Sequence, residues 1–318
     1  MPSYSGVWNL VSVYQAVGSG NWTNGKLFGD VGLFAGGSAG GDYNVIDYIY
    51  ITSTGNATDF GDLIVQMTAE GTCASTIRGL CAGSTDGGST STNVIQYVTI
   101  GTLGNSVDFG DLTVELRQLA GCNSATRGLF AGGRSPATNY ENVICYVTMA
   151  TAGNALDFGD LTVGRFRLSG LSSPTRGVFC GGIPNSGAFN IVDYVTIAST
   201  GNATNFGTLI GAFDTYEIAT CSNSTRGLIA GGQSVNVIQY ITIATTGDAT
   251  DFGDLTRAAI GPAGVSNASR ACFGGGSGPS NIIDYVTIAS TGNAIDFGDL
   301  TLARQGAGGL SNANGGVQ

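Results

Sequence analysis

The residues of this sequence that could take part in chemistry recur at a regular spacing. An Asp-Phe-Gly-Asp-Leu string begins at Asp59, Asp108, Asp157, Asp251 and Asp296, and a degenerate copy begins at Asn205. In kinases, Asp-Phe-Gly acts only together with a glycine-rich loop, a paired lysine and a His-Arg-Asp loop, whereas this chain contains no histidine. The spacing also lacks the dense set of oxygen ligands that calcium prefers. We therefore interpret these carboxylates as structural.

Arginines recur alongside the carboxylates, once in most copies, at Arg78, Arg127, Arg176, Arg226 and Arg270. Ion-pair networks are a common role for repeated charges. We expect carboxylates such as Asp59 and Asp62 to accept hydrogen bonds from nearby backbone or to pair with these arginines.

Nucleophiles and metal ligands are equally scarce. Without histidine, the chain lacks the commonest general base and the commonest transition-metal ligand. Its seven cysteines include no Cys-x-x-Cys pair, and most stand where other copies carry apolar residues, so we predict core residues and no disulfide framework. Cys145 replaces an Asp or Gln and is expected to be more exposed. We predict no catalytic residue, no metal, no cofactor, and therefore no enzyme.

Composition limits the class of protein. Of 318 residues, 42% are apolar and only 11% charged, and 53 are glycine, which indicates a large core with many tight turns. The net charge of −10 disfavours nucleic acid as a partner. No apolar run approaches the roughly 20 residues that cross a bilayer, and no signal peptide is visible. Without a signal peptide, we expect synthesis in a cytoplasm, and action outside a cell only through lysis or on a particle.

Three markers recur six times in one order. The Asp-Phe-Gly copies are spaced by 49, 49, 48, 46 and 45 residues. An Asn-Val-Ile-x-Tyr element and a Gly-Leu-Phe-Ala-Gly-Gly element precede each copy, as at Asn44 and Gly32. Each unit reads as four short strands, a to d, with β-branched and aromatic residues and no helical period. Such a unit is typical of a propeller blade, so we predict an all-β, six-bladed β-propeller over residues 26–318.

The two ends of the repeat region predict how the ring closes. The first repeat begins directly at strand b, Val31–Gly37, without a strand a. The last repeat continues past strand d into Gln305–Asn312, which has the pattern of a strand a. We expect this C-terminal strand to complete the N-terminal blade, which would leave no open sheet edge between the two.

Arg-Gly-Leu-Phe-Ala-Gly-Gly, a short loop and a Val-Ile-Asp-Tyr-Val-like strand together resemble the kelch repeat. The kelch tryptophan after strand c is missing, and Phe60 and its equivalents stand as candidates for its place. The whole repeat, over about residues 26–315, is similar to propeller repeats in virion proteins of tailed, often marine, phages. The opening Gly6-Val7-Trp8-Asn9-Leu10, with Tyr14 and Gly20-Asn21-Trp22, resembles a leader of phage appendage proteins.

Alternating strand directions place the b–c loops and d–a connections on one face, which we call the loop face, and the a–b and c–d turns on the other, the turn face. The turn face is monotonous and the loop face differs between blades, and function concentrates on variable loops. Aromatic rings there could stack on sugars, with Asp, Asn and Arg supplying hydrogen bonds. The candidate ligand-binding residues are Asp42, Tyr43, Asp86, Arg134, Asn139, Tyr140, Arg165, Arg167, Phe189, Asp214 and Tyr216.

The leader, residues 1–25, is a candidate docking segment. Trp8, Leu10, Tyr14 and Trp22 could hold the chain on other virion proteins, or the leader could simply cover the propeller. The resemblance implies a tail-fibre or appendage module that attaches to a host-surface glycan or protein, and such a module could act as a homo-oligomer. The alternatives are a structural or decoration protein of the virion without a receptor, and a cellular kelch-like interaction module.

Overall fold

The computed structural model describes residues 27, 29–68, 70–84, 91–211, 215–233 and 235–318. All regular secondary structure in these residues is β-strand. Six four-stranded antiparallel sheets stand around one axis, so the predicted six-bladed propeller is confirmed. In the described part of the chain, no helix is long or apolar enough to cross a membrane.

Within each blade, the four strands are hydrogen-bonded in the order a, b, c, d. Blade 1 comprises β26 (Gly308–Ser311), β1 (Val31–Ala35), β2 (Tyr43–Tyr50) and β3 (Thr58–Met67); blade 2 comprises β4 (Gly71–Ala74), β5 (Arg78–Ala82), β6 (Thr92–Thr99) and β7 (Val107–Leu116). Blade 3 comprises β8 (Ala120–Asn123), β9 (Arg127–Ala131), β10 (Val143–Thr148) and β11 (Leu156–Asp160); blade 4 comprises β13 (Ser169–Ser172), β14 (Arg176–Cys180), β16 (Ile191–Thr196) and β17 (Thr204–Thr208). Blade 5 comprises β18 (Ala219–Ser222), β19 (Arg226–Ala230), β20 (Val237–Thr242) and β21 (Thr250–Asp254); blade 6 comprises β22 (Ala263–Ser266), β23 (Arg270–Gly274), β24 (Ser280–Thr287) and β25 (Ile295–Arg304). Two short strands, β12 (Arg165–Phe166) and β15 (Ile183–Pro184), pair with each other on the loop face.

The ring closes as the sequence predicts. Strand β26, near the C-terminus, pairs antiparallel with β1, with Leu33 opposite Leu310. The six a strands contact one another in a closed circle around the axis. Both edges of β1 are therefore paired, by β26 on one side and β2 on the other, so β1 has no open edge.

The hydrophobic core lies between the blades. In every blade the phenylalanine of the Asp-Phe-Gly-Asp element is buried, as Phe158 is at 2% exposure. Its ring meets the strand-c tyrosine edge to face, with 5.9 Å between the centroids of Tyr146 and Phe158. This geometry is favourable for aromatic pairs and recurs in all six blades.

The glycine of the same element joins each blade to the next. Gly159 has a φ of +145°, and a Cβ there would lie 2.5 Å from the carbonyl oxygen of Gly201 in the next blade. The Gly201 N–H donates to the Phe158 carbonyl at 2.7 Å, and the Asp160 N–H donates to Asn202 Oδ1 at 3.1 Å. The Asp-Phe-Gly element and the Thr-Gly-Asn turn are therefore the two halves of one contact between blades.

The repeated arginines do not pair with the repeated carboxylates, and that alternative was wrong. The Arg127 guanidinium lies 4.7 Å from the centre of the Tyr146 ring and donates to the Ile197 carbonyl of the next blade at 3.0 Å. Among the described residues, the ion pairs involve Arg165, Arg167 and Arg304 instead. The reason is the strand order: the arginines begin strand b and the carboxylates lie on strand d, with strand c between them.

The cysteines lie in the core, as predicted. All seven are buried and free. The expectation that Cys145 is more exposed was wrong, because its side chain is fully buried. Burial raises the pKa of its thiol to about 11. Other blades fill this strand-c position with Asp47, Gln96 or Asp193, and these polar side chains are buried as well.

Candidate ligand site on the loop face

The loop face is assembled by hydrogen bonds between the b–c loops and the d–a connections. The double glycine after strand b provides them: the Gly36 N–H donates to the Val45 carbonyl at 2.9 Å and the Gly37 N–H donates to the Met67 carbonyl at 2.8 Å. Both glycines have positive φ, 63° and 94°, a conformation that suits glycine because it has no Cβ. Equivalent bonds recur in the other blades, so the variable loops stand on a uniform base.

A cavity of about 310 Å³ follows the axis, lined chiefly by the a strands and their preceding connections. The C-terminal segment crosses its turn-face end. Asn314 Nδ2 donates to the carbonyls of Ala74 at 3.1 Å and of Ser311 at 2.8 Å, and the Ser224 N–H donates to Gln318 Oε1 at 3.1 Å. The segment thus covers the turn-face end of the cavity, and the mouth of the cavity lies on the loop face.

A chain of backbone hydrogen bonds runs along part of the rim of that mouth. The N–H of Arg167 donates to the Gln118 carbonyl, that of Glu217 to Arg167, that of Gly261 to Glu217, and that of Gly306 to Gly261, at 2.7–3.1 Å. All five residues have φ between 53° and 65°. Glycine adopts this conformation freely, whereas other residues rarely do, and such positions cluster at functional sites. Gln118, Arg167 and Glu217 therefore place side chains where blades 5 and 6 use glycine.

Next to this mouth, connections from blades 2 to 5 bring arginines and aromatic rings together. We call the set Arg117, Arg134, Tyr140, Phe166, Arg167, Phe189, Tyr216 and Glu217 the arginine–aromatic cluster. The Arg134 guanidinium stacks over Phe166, 3.8 Å from the ring centre. Arg167 lies 5.9 Å from Phe166 and 5.8 Å from Tyr216.

Regular backbone pairing holds the cluster in place. Strand β12 pairs with β15, which fixes Phe166. Arg117 and Arg134 exchange backbone hydrogen bonds at 3.0 and 2.8 Å. The Phe166 ring, 4% exposed, meets Tyr140 at 5.8 Å between centroids, and Phe189 meets Tyr216 edge to face at 5.9 Å. Contacts with the Phe166 and Phe189 rings therefore hold the partly exposed tyrosine and arginine side chains of the cluster in position.

Positive charge dominates the electrostatics of the cluster. Arg167 Nε lies 3.0 Å from Glu217 Oε1. Burial raises the pKa of Glu217, and Arg167 opposes that shift. Burial, and then the charges of Arg117 and Arg167, lower the pKa of Arg134.

Five predicted ligand-binding residues come together in the cluster: Arg134, Tyr140, Arg167, Phe189 and Tyr216. Asn139 is exposed beside Tyr140 in the same loop.

Asp42 and Tyr43 belong to blade 1, outside the cluster, and are half-buried. Asp86 and Asp214 lie outside the described residues, as do Trp8, Leu10, Tyr14 and Trp22.

The prediction that Arg165 binds a ligand was wrong. It is fully buried, and its Nη1 lies 2.8 Å from Asp193 Oδ2, so a ligand on the loop face cannot contact it. Thr162 Oγ1 donates to the other oxygen of Asp193 at 2.7 Å. Thr301, Arg304 and Asp47 form the same network between blades 6 and 1, again with a buried Arg–Asp pair. This shared Thr-x-x-Arg spacing is the signal that identifies Arg165 as structural.

Gln118 and Glu70 were not predicted. Gln118 takes a position that is glycine in blades 5 and 6, and that substitution within the repeat is the signal that could have found it. Glu70 is buried at 7% exposure and lines the cavity. Burial raises its pKa to about 8.

A comparison with protein-family models finds no match for this chain, and a comparison with curated proteins finds none either. The described residues contain no group of three or more Cys, Asp or Glu side chains placed to hold a metal ion.

Proposed function

We propose that this chain is a non-enzymatic binding module of a phage virion that attaches to a host-surface glycan through the arginine–aromatic cluster. The observation that carries the proposal is the convergence of Arg134, Tyr140, Arg167 and Tyr216 on one corner of a rigid ring of sheets. The virion context rests on the resemblance of the repeat and of the leader to phage proteins.

The cluster has the properties that sugar binding requires. Tyr140 and Tyr216 are partly exposed, so each presents an apolar ring together with a hydroxyl group. Arg134 and Arg167 supply several N–H donors in a fixed planar arrangement. Strand pairing and the buried Phe166 hold these groups before a ligand arrives, which reduces the entropy lost on binding. These features support binding rather than catalysis.

Glycan-array binding of the full chain tests this role. Because aromatic contacts contribute about 0.5–1.5 kcal/mol each, Tyr140→Ala and Tyr216→Ala should each weaken binding by up to about tenfold. Tyr50→Ala is the matched control, since Tyr50 is an exposed tyrosine at the turn-face end of β2. Absence of glycan binding by the wild-type chain, or equal binding by all variants, would refute the proposal.

Mounting on the particle is tested separately. Deletion of residues 1–25 should prevent incorporation into virions while the isolated propeller keeps its cooperative melting transition. Several copies per particle would convert weak sites into strong attachment. Normal incorporation of the truncated chain would exclude a docking role for the leader. Incorporation of a full chain that binds no glycan would favour the decoration role.

A further inference from the structure

Cations are scarce in this protein, yet a group of them lies together at the cluster. The chain has 12 Lys and Arg residues against 22 Asp and Glu. Three of the arginines, Arg117, Arg134 and Arg167, come from three different connections and meet on one part of the loop face. Like charges at close range repel each other, so bringing these three arginines together lowers the stability of the folded chain.

Of the three arginines, Arg134 is the one whose guanidinium is best placed to bind an anion. Its guanidinium is stacked on the buried Phe166 ring at 3.8 Å, and among the described residues no carboxylate forms an ion pair with it. Glu217 lies 3.0 Å from Arg167. Glu141, in the loop that follows Arg134, accepts a hydrogen bond from the Ser135 hydroxyl at 2.6 Å.

We infer that the cluster binds an acidic saccharide, with the carboxylate of the sugar on Arg134 and Arg167 and its ring against Tyr140 or Tyr216. A guanidinium donates two parallel hydrogen bonds to a carboxylate, and such charge-assisted bonds are stronger than neutral ones. A bound carboxylate also offsets the repulsion among the three arginines. Burial, and then the charges of Arg117 and Arg167, lower the pKa of Arg134, and a bound carboxylate would oppose that shift.

The aromatic rings favour a sugar acid over a small free anion. Tyr140 contacts Phe166 at 5.8 Å between ring centroids, and Tyr216 contacts Phe189 at 5.9 Å. A free phosphate or sulfate would use the arginines and leave these rings without a function. This inference rests on the proposed glycan-binding role and specifies the chemical class of the glycan.

The test uses matched saccharide pairs with the full chain. Sialyllactose is compared with lactose, and oligogalacturonate and alginate oligomers with their methyl esters, by calorimetry at two salt concentrations. We expect at least one carboxylated probe to bind about 10- to 100-fold more tightly than its neutral counterpart. Sulfated oligosaccharides and inorganic phosphate serve as competing anions.

Variants locate the effect. Arg134→Gln should abolish the preference for the carboxylated probe and leave weak binding of its neutral counterpart. Arg134→Lys keeps the charge without the planar donor pair and should restore only part of the preference. Arg257→Gln, on the connection between blades 5 and 6 and outside the cluster, should leave the preference for the carboxylated probe unchanged. Thermal melting of each variant confirms that it folds.

The outcomes separate the inference from the proposed function. Equal binding of neutral and carboxylated probes, lost in Tyr140→Ala, overturns the acidic-sugar inference while the glycan-binding role stands. Preference for sulfate or phosphate over every carboxylated probe also overturns it. Absence of binding to any saccharide overturns both.

Discussion

Glu70 is a carboxyl group enclosed at the junction of blades 1 and 2. The Gly308 N–H donates to its Oε1 at 3.2 Å. Burial raises its pKa from 4.5 to about 8, Asp42 adds to the shift, and Arg304 opposes it. Because the folded value exceeds the unfolded one, the folded protein holds the proton more tightly. The contribution of the protonated Glu70 carboxyl to the free energy of unfolding is therefore complete below about pH 4.5, and it is lost as the pH rises through about 8.

Glu70→Gln tests this linkage, because glutamine resembles the protonated acid and cannot ionise. Between pH 5 and pH 8, the free energy of unfolding of the wild type should fall relative to that of the variant by on the order of 4 kcal/mol. Urea titrations at several pH values measure it. Exposed Glu115→Gln is the control and should follow the wild type. Parallel curves for Glu70→Gln and the wild type would show that Glu70 ionises normally in the folded chain.

Single residues were predictable where a position repeats and unpredictable where it varies. Most cysteines could be assigned to the core because aligned copies carry apolar residues there. The prediction for Cys145 was wrong because its equivalents in other blades are polar. These polar residues are nevertheless buried, and they are hydrogen-bonded to the preceding blade, as Asp47 is to Thr301. Burial of a polar residue depends on a partner from another blade, which the local sequence does not reveal.

At the scale of elements, the contact between Asp-Phe-Gly and the neighbouring Thr-Gly-Asn turn sets the spacing of the blades. Gly159 and Gly153 both have positive φ, +145° and +157°, but only Gly159 faces a close neighbour, and nothing lies within 4 Å of a Cβ at Gly153. Gly159→Ala should therefore cost about 3 kcal/mol, from strain and from the clash with Gly201, and Gly153→Ala about 1 kcal/mol from strain alone. Thermal or urea unfolding measures both. Equal losses would mean that the approach of the blades contributes nothing beyond local strain.

The strands and turns of each blade could be predicted from one repeat, since strand propensity and turn glycines are local properties. The arginine–aromatic cluster could be predicted only as a set of variable residues. Its assembly depends on β12 and β15, which lie in connections that the repeat pattern does not specify, and on Gln118, Arg167 and Glu217 in a backbone conformation typical of glycine.

At the scale of the whole molecule, the C-terminal residues act at two levels. Strand β26 completes blade 1, and its Leu310 packs in the core shared with blade 2. The last residues then cross the cavity, where Asn314 donates to Ser311 and Ala74. In blades 5 and 6, a serine at the end of strand a makes the equivalent bond: the Ser222 and Ser266 hydroxyls each donate to a strand-a carbonyl of the preceding blade. In blade 2 this position is Ala74. Ala74 has no hydroxyl, so Asn314 supplies the missing donor.

Two truncations separate these levels. Removal of residues 312–318 should leave a folded propeller that melts about 5 °C lower, because it loses only a few hydrogen bonds. Removal of residues 308–318 also deletes β26, which exposes the edge of β1 and the core around Leu33, so we expect loss of the cooperative transition and aggregation. A peptide of residues 305–318 added to the longer truncation should restore folding, since it can pair with β1 again. If the longer truncation melts like the shorter one, the ring does not depend on its closing strand.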